Sequence, residues 1–162
     1  MTNETNDMNI MIITGLSGAG KSQAADYFED NGYYCIDNLP PSLIFHFLDL
    51  IKRGGHRVER VAFVIDIRGA KFLNELTESL AQLKKEGYSY KILFLDAADD
   101  VLLRRYNETR RLHPLATGTT NADALRKERK ALLPIQKVAD LYVDTSKFNN
   151  AQLLSVLTEI LT

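Results

Sequence analysis

Short, continuous apolar runs alternate along the chain with longer stretches in which apolar residues recur at helical spacing. Continuous apolar runs are typical of strands buried on both faces, and the amphipathic stretches between them are typical of crossover helices. The pattern therefore predicts βαβ units, with a five-stranded, mostly parallel sheet and helices on both of its faces. The predicted strands cover residues 10–14, 33–36, 61–66, 91–96 and 141–145.

Helical periodicity is clearest after the third predicted strand, where Phe72, Leu76, Leu80 and Leu83 mark one face before Gly87. Further helices are predicted over residues 21–31, after the two prolines at 40–41, from residue 101, over 122–138 and over 151–161. Proline inside a helix removes a hydrogen-bond donor, so we expect Pro134 to kink or restart the helix at 122–138. Residues 110–121 lose the periodicity and are predicted to form an exposed loop. We expect residues 1–8 to be a disordered tail and residues 9–162 to form one domain.

The turn between the first predicted strand and its helix matches the motif G-x-x-x-x-G-K-[ST] without a mismatch. Its glycines allow the backbone N–H groups to point inward around a phosphate, and the following helix adds the positive end of its dipole. Lys21 is expected to reach the β- and γ-phosphates, and the Ser22 hydroxyl is expected to ligate Mg²⁺. A plain glycine-rich turn requires neither the lysine nor the serine. The predicted phosphate-binding residues are Gly15, Leu16, Ser17, Gly18, Ala19, Gly20, Lys21 and Ser22.

A phosphate loop of this kind also needs a carboxylate that holds the metal, normally at the end of an apolar strand. Asp66 is preferred, because four apolar residues precede it and an arginine follows, and we expect it to share Mg²⁺ with Ser22. Strand-end aspartates also serve as helix caps; this structural interpretation is favoured for Asp144 and is balanced against function for Asp96. Asp37 lies on the carboxyl edge where ligands of such sheets bind, and its role stays open.

Arginines cluster at Arg104, Arg105, Arg110 and Arg111, at the end of a predicted helix and the start of the predicted loop. Such a cluster can form a lid that gives bidentate hydrogen bonds to phosphates. It can equally be a solvated helix face in which Glu108 pairs with neighbouring arginines. Both interpretations fit the spacing, and we include Arg110 and Arg111 among the candidate nucleotide contacts.

Composition narrows the class of protein. Lys and Arg total 20 against 21 Asp and Glu, a net charge of −1, so there is no positive excess for binding nucleic acid directly. The single cysteine, Cys35, cannot form an internal disulfide or a multi-cysteine zinc site and is expected in the core. No signal-peptide pattern and no apolar run long enough to span a membrane occur in the sequence. We therefore expect a cytoplasmic protein.

Several longer strings carry a resemblance to the RapZ/YvcJ family of bacterial P-loop nucleotide-binding proteins, some of which act as RNase adapters. The Asp-Asn-Leu-Pro and Thr-Arg-Arg-x-His-Pro-Leu strings are more diagnostic of that family than the phosphate loop itself. The similarity runs from about Ile10 to Ser146. The strings are GLSGAGKS at 15–22, YCIDNLPP at 34–41, DIRG at 66–69, FLDA at 94–97, RRYNETRRLHPL at 104–115 and DLYVDTS at 140–146.

The resemblance implies a three-layer P-loop NTPase fold of the nucleotide-kinase kind that binds ATP and GTP and hydrolyses them weakly. It implies a second nucleotide segment, assigned in the family to GTP, which here is Asp66, Ile67, Arg68 and Gly69. Lys21 and Asp66 are then the residues expected to act in hydrolysis. Family members carry a further C-terminal domain, linked to an amino-sugar phosphate and small RNA. We expect that domain to be missing from these 162 residues and to be this domain's partner.

Three hypotheses follow. The first is a nucleotide-binding regulatory domain with weak NTPase activity. The second is a small-molecule kinase of the adenylate or shikimate kinase type, since fold, size and lid-like arginines fit it equally well, although no acceptor motif stands out. The third is an interaction module that uses nucleotide only as a structural ligand. A homo-oligomer is compatible with all three.

Overall fold

The computed structural model describes residues 8–55, 58–67, 70–109 and 120–161. Within these ranges five strands form one sheet in the order β2-β3-β1-β4-β5, and every neighbouring pair is parallel. The predicted sheet is therefore confirmed, and it is parallel throughout rather than mostly parallel. The strands are β1 Asn9–Gly15, β2 Tyr34–Asp37, β3 Arg60–Val64, β4 Tyr90–Asp96 and β5 Leu141–Asp144.

The central strand β1 is buried along its length, apart from the exposed Asn9 at its start. Ile12 pairs with Phe63 of β3 on one side and with Ile92 of β4 on the other. A strand buried on both faces has no polar alternation, which explains its continuous apolar run. Because all strands are parallel, their carboxyl ends lie on one edge, where ligands of such sheets bind.

Six α-helices connect or follow these strands in the described ranges, and a short 3₁₀ helix, Pro41–Leu43, precedes the second of them. Proline at the first position suits a helix start, because its fixed φ is already helical and its missing N–H has no partner there. The helices are α1 Lys21–Asp30, α2 Ile44–Arg53, α3 Ala70–Lys85, α4 Asp99–Thr109, α5 Asn121–Val138 and α6 Asn150–Leu161.

The helices cover the sheet in two packed groups. Helix α1 packs beside α6, whereas α3 packs against both α2 and α5, and α4 packs against α5. The chain crosses the sheet in opposite directions through α1 and α3, and right-handed crossovers then place these helices on opposite faces. The result is the predicted three-layer α/β arrangement.

The helix before β5 differs from the predicted restart at Pro134. Helix α5 continues past Pro134 to Val138 as a single element and does not restart there. Proline costs this helix the hydrogen bond to the carbonyl of Lys130, but Leu132 and Ile135 on either side of it are buried in the core. Packing of that apolar face therefore holds the final turn.

Candidate functional site

The turn after β1 is pinned against the neighbouring strand β4. The Leu16 N–H donates to the Leu95 carbonyl at 3.1 Å. At Gly15 the backbone has φ +145°, and a Cβ there would lie 2.1 Å from that same carbonyl oxygen. Only glycine permits this close approach, so the first glycine of the motif sets where the loop leaves the sheet.

Beyond that point the loop presents a series of backbone donors to the carboxyl edge of the sheet. In the described part of the chain, the N–H groups of Gly18, Gly20, Lys21 and Ser22 donate to no protein acceptor. Gly20 precedes the first residue of α1 with φ +112°, a left-handed conformation that favours glycine. Consecutive free N–H groups at a helix start form an anion-binding site, because the helix dipole adds to them.

The side chain of Lys21 folds back toward the start of this loop. Its Nζ donates to the Gly15 carbonyl at 2.9 Å and lies 3.1 Å from Asp66 Oδ1. The lysine side chain is 11% exposed and the aspartate side chain 34% exposed. Asp66 follows β3, and the Ile65 N–H still bonds to the Ile13 carbonyl at 2.9 Å, so β3 carries the carboxylate to the loop.

The other three strand-end acids have different surroundings. Asp96, at the end of β4, accepts hydrogen bonds from Arg129 at 3.0 and 3.2 Å and from the Tyr142 hydroxyl at 2.5 Å. Asp144 accepts from the backbone and the hydroxyl of Ser146, which lowers the pKa of this carboxyl. It therefore orders the turn after β5 rather than capping α6. Asp37 accepts from the N–H of the next residue at 2.8 Å.

The donor set at the loop fits Mg²⁺. In the ranges that the structure describes, no group of three or more His, Cys, Asp or Glu side chains could hold a metal on its own. Mg²⁺ in nucleotide sites characteristically takes one or two protein oxygens and completes its shell with phosphates and water. The exposed Ser22 hydroxyl and the half-buried Asp66 carboxylate are two such hard oxygen donors.

Helix α4 holds the loop from outside the sheet. The Arg105 guanidinium donates to the Gly18 carbonyl at 2.8 Å and to the Thr145 carbonyl at 2.8 Å, so it joins the loop to the end of β5. The Tyr106 hydroxyl donates to the Ser17 carbonyl at 2.5 Å. Burial, together with the nearby Glu128 carboxylate, raises the pKa of the Tyr106 phenol well above its usual range, so the phenol stays a donor.

Helix α5 contacts the same part of the loop with a carboxylate. Glu128 Oε1 accepts from the Ser17 N–H at 3.0 Å, and Oε2 accepts from the Ser17 hydroxyl at 2.8 Å. Glu128 is only 5% exposed. Helices α4 and α5 therefore meet at Ser17.

The structure brings together the central members of the predicted site, namely the loop from Gly15 to Ser22 together with Asp66. The side chains of Leu16, Ala19 and Ile67 are buried in the hydrophobic core, so these three residues offer the site their backbone only. Of the predicted arginine cluster, Arg104 is exposed and Arg105 turns to the loop. The predicted contacts Arg68, Gly69, Arg110 and Arg111 lie outside the described residues.

Three residues that hold the loop were not predicted as site residues, namely Tyr106, Glu128 and Thr145. Glu128 has a signal in the sequence, since it falls in the apolar stripe of α5, between Leu125 and Leu132. A charged residue at a core position of a helix requires a buried partner. Thr145, whose hydroxyl donates to the Ala19 carbonyl at 2.7 Å, has no comparable signal.

Comparison with known proteins agrees with this arrangement. A family model described as "RapZ-like N-terminal domain" matches residues 8–162. A protein of Clostridium beijerinckii named "Nucleotide-binding protein" is 48% identical over 141 residues, which are 87% of this chain and 48% of that protein. A protein of Halothermothrix orenii with the same name is 48% identical over 153 residues, 94% of this chain and 53% of that protein. The chain spans about half the length of the curated relatives it matches.

Solved structures identify the fold. Shikimate kinase from Bacteroides thetaiotaomicron superimposes with a TM-score of 0.62 at 17% identity, covering 95% of this chain and 98% of that one. A gluconokinase from Sinorhizobium meliloti gives 0.55 at 20% identity, covering 96% and 97%. The chain therefore has a P-loop kinase-like fold. Among its described helices, none has the length and apolar character that a membrane span requires.

Proposed function

Because the chain belongs to the family of RapZ-like N-terminal domains, we propose that it is a regulatory domain that binds ATP or GTP with Mg²⁺ and hydrolyses it slowly. The nucleotide phosphates occupy the loop from Gly15 to Ser22. The relatives named as nucleotide-binding proteins support a nucleotide as the ligand. We further propose that the protein is cytoplasmic and that the state of the site is passed on to a second domain, since the chain spans about half the length of the curated relatives it matches.

A single observation carries the proposal. Four N–H groups of the loop are free of protein acceptors within the described ranges, and the ammonium group of Lys21 lies at the start of the same loop. A turn that served only to connect β1 with α1 would need neither feature. Together they supply convergent donors and a positive charge, which are the two requirements of a phosphate site.

The residues of the loop divide the work on the bound phosphates. The N–H groups of Gly18, Gly20 and Lys21 hold the inner phosphates by hydrogen bonds. The ammonium group of Lys21 exchanges the Gly15 carbonyl for the outer phosphates, a movement of its flexible side chain. Ser22 and Asp66 would hold Mg²⁺, which would supply Lewis-acid stabilisation of negative charge on the phosphates.

Two further roles are assigned to segments beside the loop. By similarity with the RapZ/YvcJ family, we assign the preference for one nucleotide base to Asp66, Ile67, Arg68 and Gly69. Arg110 and Arg111 are assigned to the outer phosphates, because arginine gives bidentate bonds to phosphate oxygens. Base preference is then independent of the loop itself, whose contacts are all to phosphates.

Titration calorimetry with ATP, GTP, ADP and GDP, with and without Mg²⁺, tests the proposal. We expect Mg²⁺-dependent binding of at least one triphosphate, and we expect Lys21→Ala to weaken it about a hundredfold. Lys52→Ala, at the exposed end of α2, is the matched control and should leave binding unchanged. If Lys21→Ala binds nucleotide as tightly as the unchanged chain does, the phosphate loop is not the site.

Phosphate release distinguishes this proposal from its two alternatives. Slow release that needs no acceptor supports a regulatory NTPase. Turnover that rises when a hydroxyl-bearing metabolite is added would replace the proposal with a small-molecule kinase, whose fold the chain shares. If nucleotide binding is abolished while binding to the remainder of the longer protein is unchanged, the chain is an interaction module.

A further inference from the structure

Three large apolar side chains are exposed where α5 leads into β5, at one edge of the sheet. Val138, the last residue of α5, is 61% exposed, Tyr142 of β5 is 48% exposed and Leu133 of α5 is 43% exposed. Single exposed apolar residues are ordinary on a protein surface, but a contiguous group indicates a contact surface. We call these three residues the β5 surface.

The members of the β5 surface are neighbours in the fold as well as in the sequence. Arg129 of α5 and the Tyr142 hydroxyl bond to the same carboxylate, that of Asp96, at 3.0 and 2.5 Å, so α5 lies over this part of the sheet. Leu133 follows Arg129 by four residues and therefore lies on the same face of the helix, one turn further on. Val138 ends that helix four residues before Tyr142. The three side chains thus belong to one patch.

The backbone at this edge is also open to a partner. β5 is an outer strand of the sheet, and in the part of the chain that the structure describes β4 is the only strand that pairs with it. The N–H and C=O groups on its other side therefore have no strand to bond to within those residues. A free edge beside exposed apolar side chains favours contact with another part of a protein.

Hydrogen bonds connect the β5 surface to the phosphate loop. The Tyr142 hydroxyl donates to the Asp96 carboxylate, and the Asp96 carbonyl accepts from the Thr145 N–H at 2.8 Å. The Thr145 hydroxyl donates to the Ala19 carbonyl at 2.7 Å. Ala19 lies within the row of free N–H groups that forms the anion-binding site. A shift of the Ala19 carbonyl when phosphates bind would therefore act on β5 through these bonds.

The most exposed apolar residue of α2 lies in different surroundings. Leu50 is 68% exposed, more than any member of the β5 surface. Its helix, however, packs mainly against α3 and the 3₁₀ helix. The phosphate loop is bonded instead to α4, to α5 and to the residues that follow β3 and β5. Connection to the loop, and not exposure, thus favours the β5 surface as the one that responds to a nucleotide.

We propose that the β5 surface binds the second domain of the full-length protein. The chain spans 48% and 53% of the two relatives above, and the matching family model is that of an N-terminal domain, so about as many residues again are available as the partner. Three half-exposed side chains offer less than the roughly 800 Å² per partner that a stable complex of separate chains buries. A covalently linked domain needs less, because its effective concentration is high. This inference rests on the proposed function, in which the state of the site is passed on to that domain.

Amide hydrogen exchange tests the inference. We expect the amides of residues 141–144 to exchange at least about tenfold more slowly in the full-length protein than in the 162-residue chain. Val138→Lys should remove this protection in the full-length protein, because it places a charge against an apolar partner, and should change little in the 162-residue chain. Lysine suits the last turn of a helix, so the variant should fold. Leu50→Lys, near the end of α2, is the matched control and should leave the protection unchanged.

Protection of α2 in place of β5, or an equal loss of protection in Leu50→Lys and Val138→Lys, overturns the inference. Protection that rises with protein concentration would identify a second copy of the chain as the occupant and would overturn it as well. When calorimetry shows the loop occupied by Mg²⁺ and a triphosphate, we expect the exchange of residues 141–144 to change at least about threefold; an unchanged rate contradicts the choice of surface. Absence of nucleotide binding overturns the proposed function alone, because the protection of β5 is first measured without nucleotide.

Discussion

Two aspartates flank the central strand at the same edge of the sheet and have opposite surroundings. Asp66 follows β3 and Asp96 ends β4, and both strands are direct neighbours of β1. Asp66 is one-third exposed and its carboxylate pairs with Lys21 alone among the described residues. Asp96 has only 7% of its side chain exposed and accepts from Arg129, Tyr142 and its neighbouring backbone N–H.

The two carboxylates differ in the number of donors around them. The network of Asp96 ties β4 to β5 and α5, and Arg129 extends it to Asp99 and to the Ala97 carbonyl. Every oxygen of Asp96 is thereby engaged. Asp66 faces a lysine that is itself tethered to the loop, and one-third of its side chain is exposed. The same residue type therefore has two different environments after two neighbouring apolar strands.

Asp96→Asn should give the largest effect on stability. The amide replaces an acceptor oxygen with a donor that faces Arg129 or Tyr142, so a partly buried guanidinium loses one of its two carboxylate partners. We expect the free energy of unfolding to fall by about 3 kcal/mol, measured by urea denaturation. Asp66→Asn should cost less than about 1 kcal/mol in the same measurement, because its ion pair is more exposed. Equal losses in the two variants would contradict the distinction.

Arg105→Lys tests the contact by which helix α4 joins the phosphate loop to the end of β5. Lysine keeps the charge but cannot bond to the carbonyls of Gly18 and Thr145 at once, as the planar guanidinium does. We expect a loss of about 1.5 kcal/mol in the free energy of unfolding. Arg104→Lys, at the adjacent exposed position, is the control and should change it by less than about 0.5 kcal/mol. A similar small loss in both would mean that Arg105 does not hold the loop.

The fold could be predicted almost completely from the apolar pattern, because the three central strands of the parallel sheet are buried and so lack polar interruptions. The restart predicted at Pro134 was the exception. The prediction weighed the hydrogen bond that proline removes and omitted the packing of Leu132 and Ile135, which only the assembled core provides.

The candidate site was predictable where its residues are contiguous or end a strand. Gly15 to Ser22 form one motif, and Asp66 follows an apolar strand, so sequence spacing locates both. Arg105 and Glu128 reach the loop over 87 and 111 residues of sequence, and such contacts depend on how the helices pack. Spacing alone left Arg105 balanced between a lid and a solvated face, and the structure shows it bonded to the backbone carbonyls of Gly18 and Thr145.

Asp66→Asn should affect ligand affinity where Asp96→Asn affects stability. We expect the affinity for a triphosphate in the presence of Mg²⁺ to fall about tenfold, about 1.4 kcal/mol, because the metal loses a charged ligand. Without Mg²⁺ the loss should vanish or reverse, since no metal contact is then at stake and the ammonium group of Lys21 no longer pairs with a carboxylate. Asp144→Asn is the matched control at the end of β5, and calorimetry should show less than a twofold change. Equal effects of the two variants would remove Asp66 as the metal ligand.

Tyr142→Phe should give the smallest effect and a defined pH dependence. It removes the hydroxyl bond to Asp96 but keeps the ring stacked on Phe94, so we expect a loss of about 1 kcal/mol or less. Burial and the bond to Asp96 raise the pKa of Tyr142 to about 12, above its ordinary value of about 10. Below pH 10 the phenol is neutral in both the folded and the unfolded chain. The difference in unfolding free energy between the unchanged chain and Tyr142→Phe therefore has its full value there. Between about pH 10 and about pH 12 the unfolded chain alone releases the proton, and the difference should shrink. Urea denaturation across this range measures it, with the exposed Tyr34→Phe as control; a difference that grows with pH would mean that Asp96 does not accept from Tyr142.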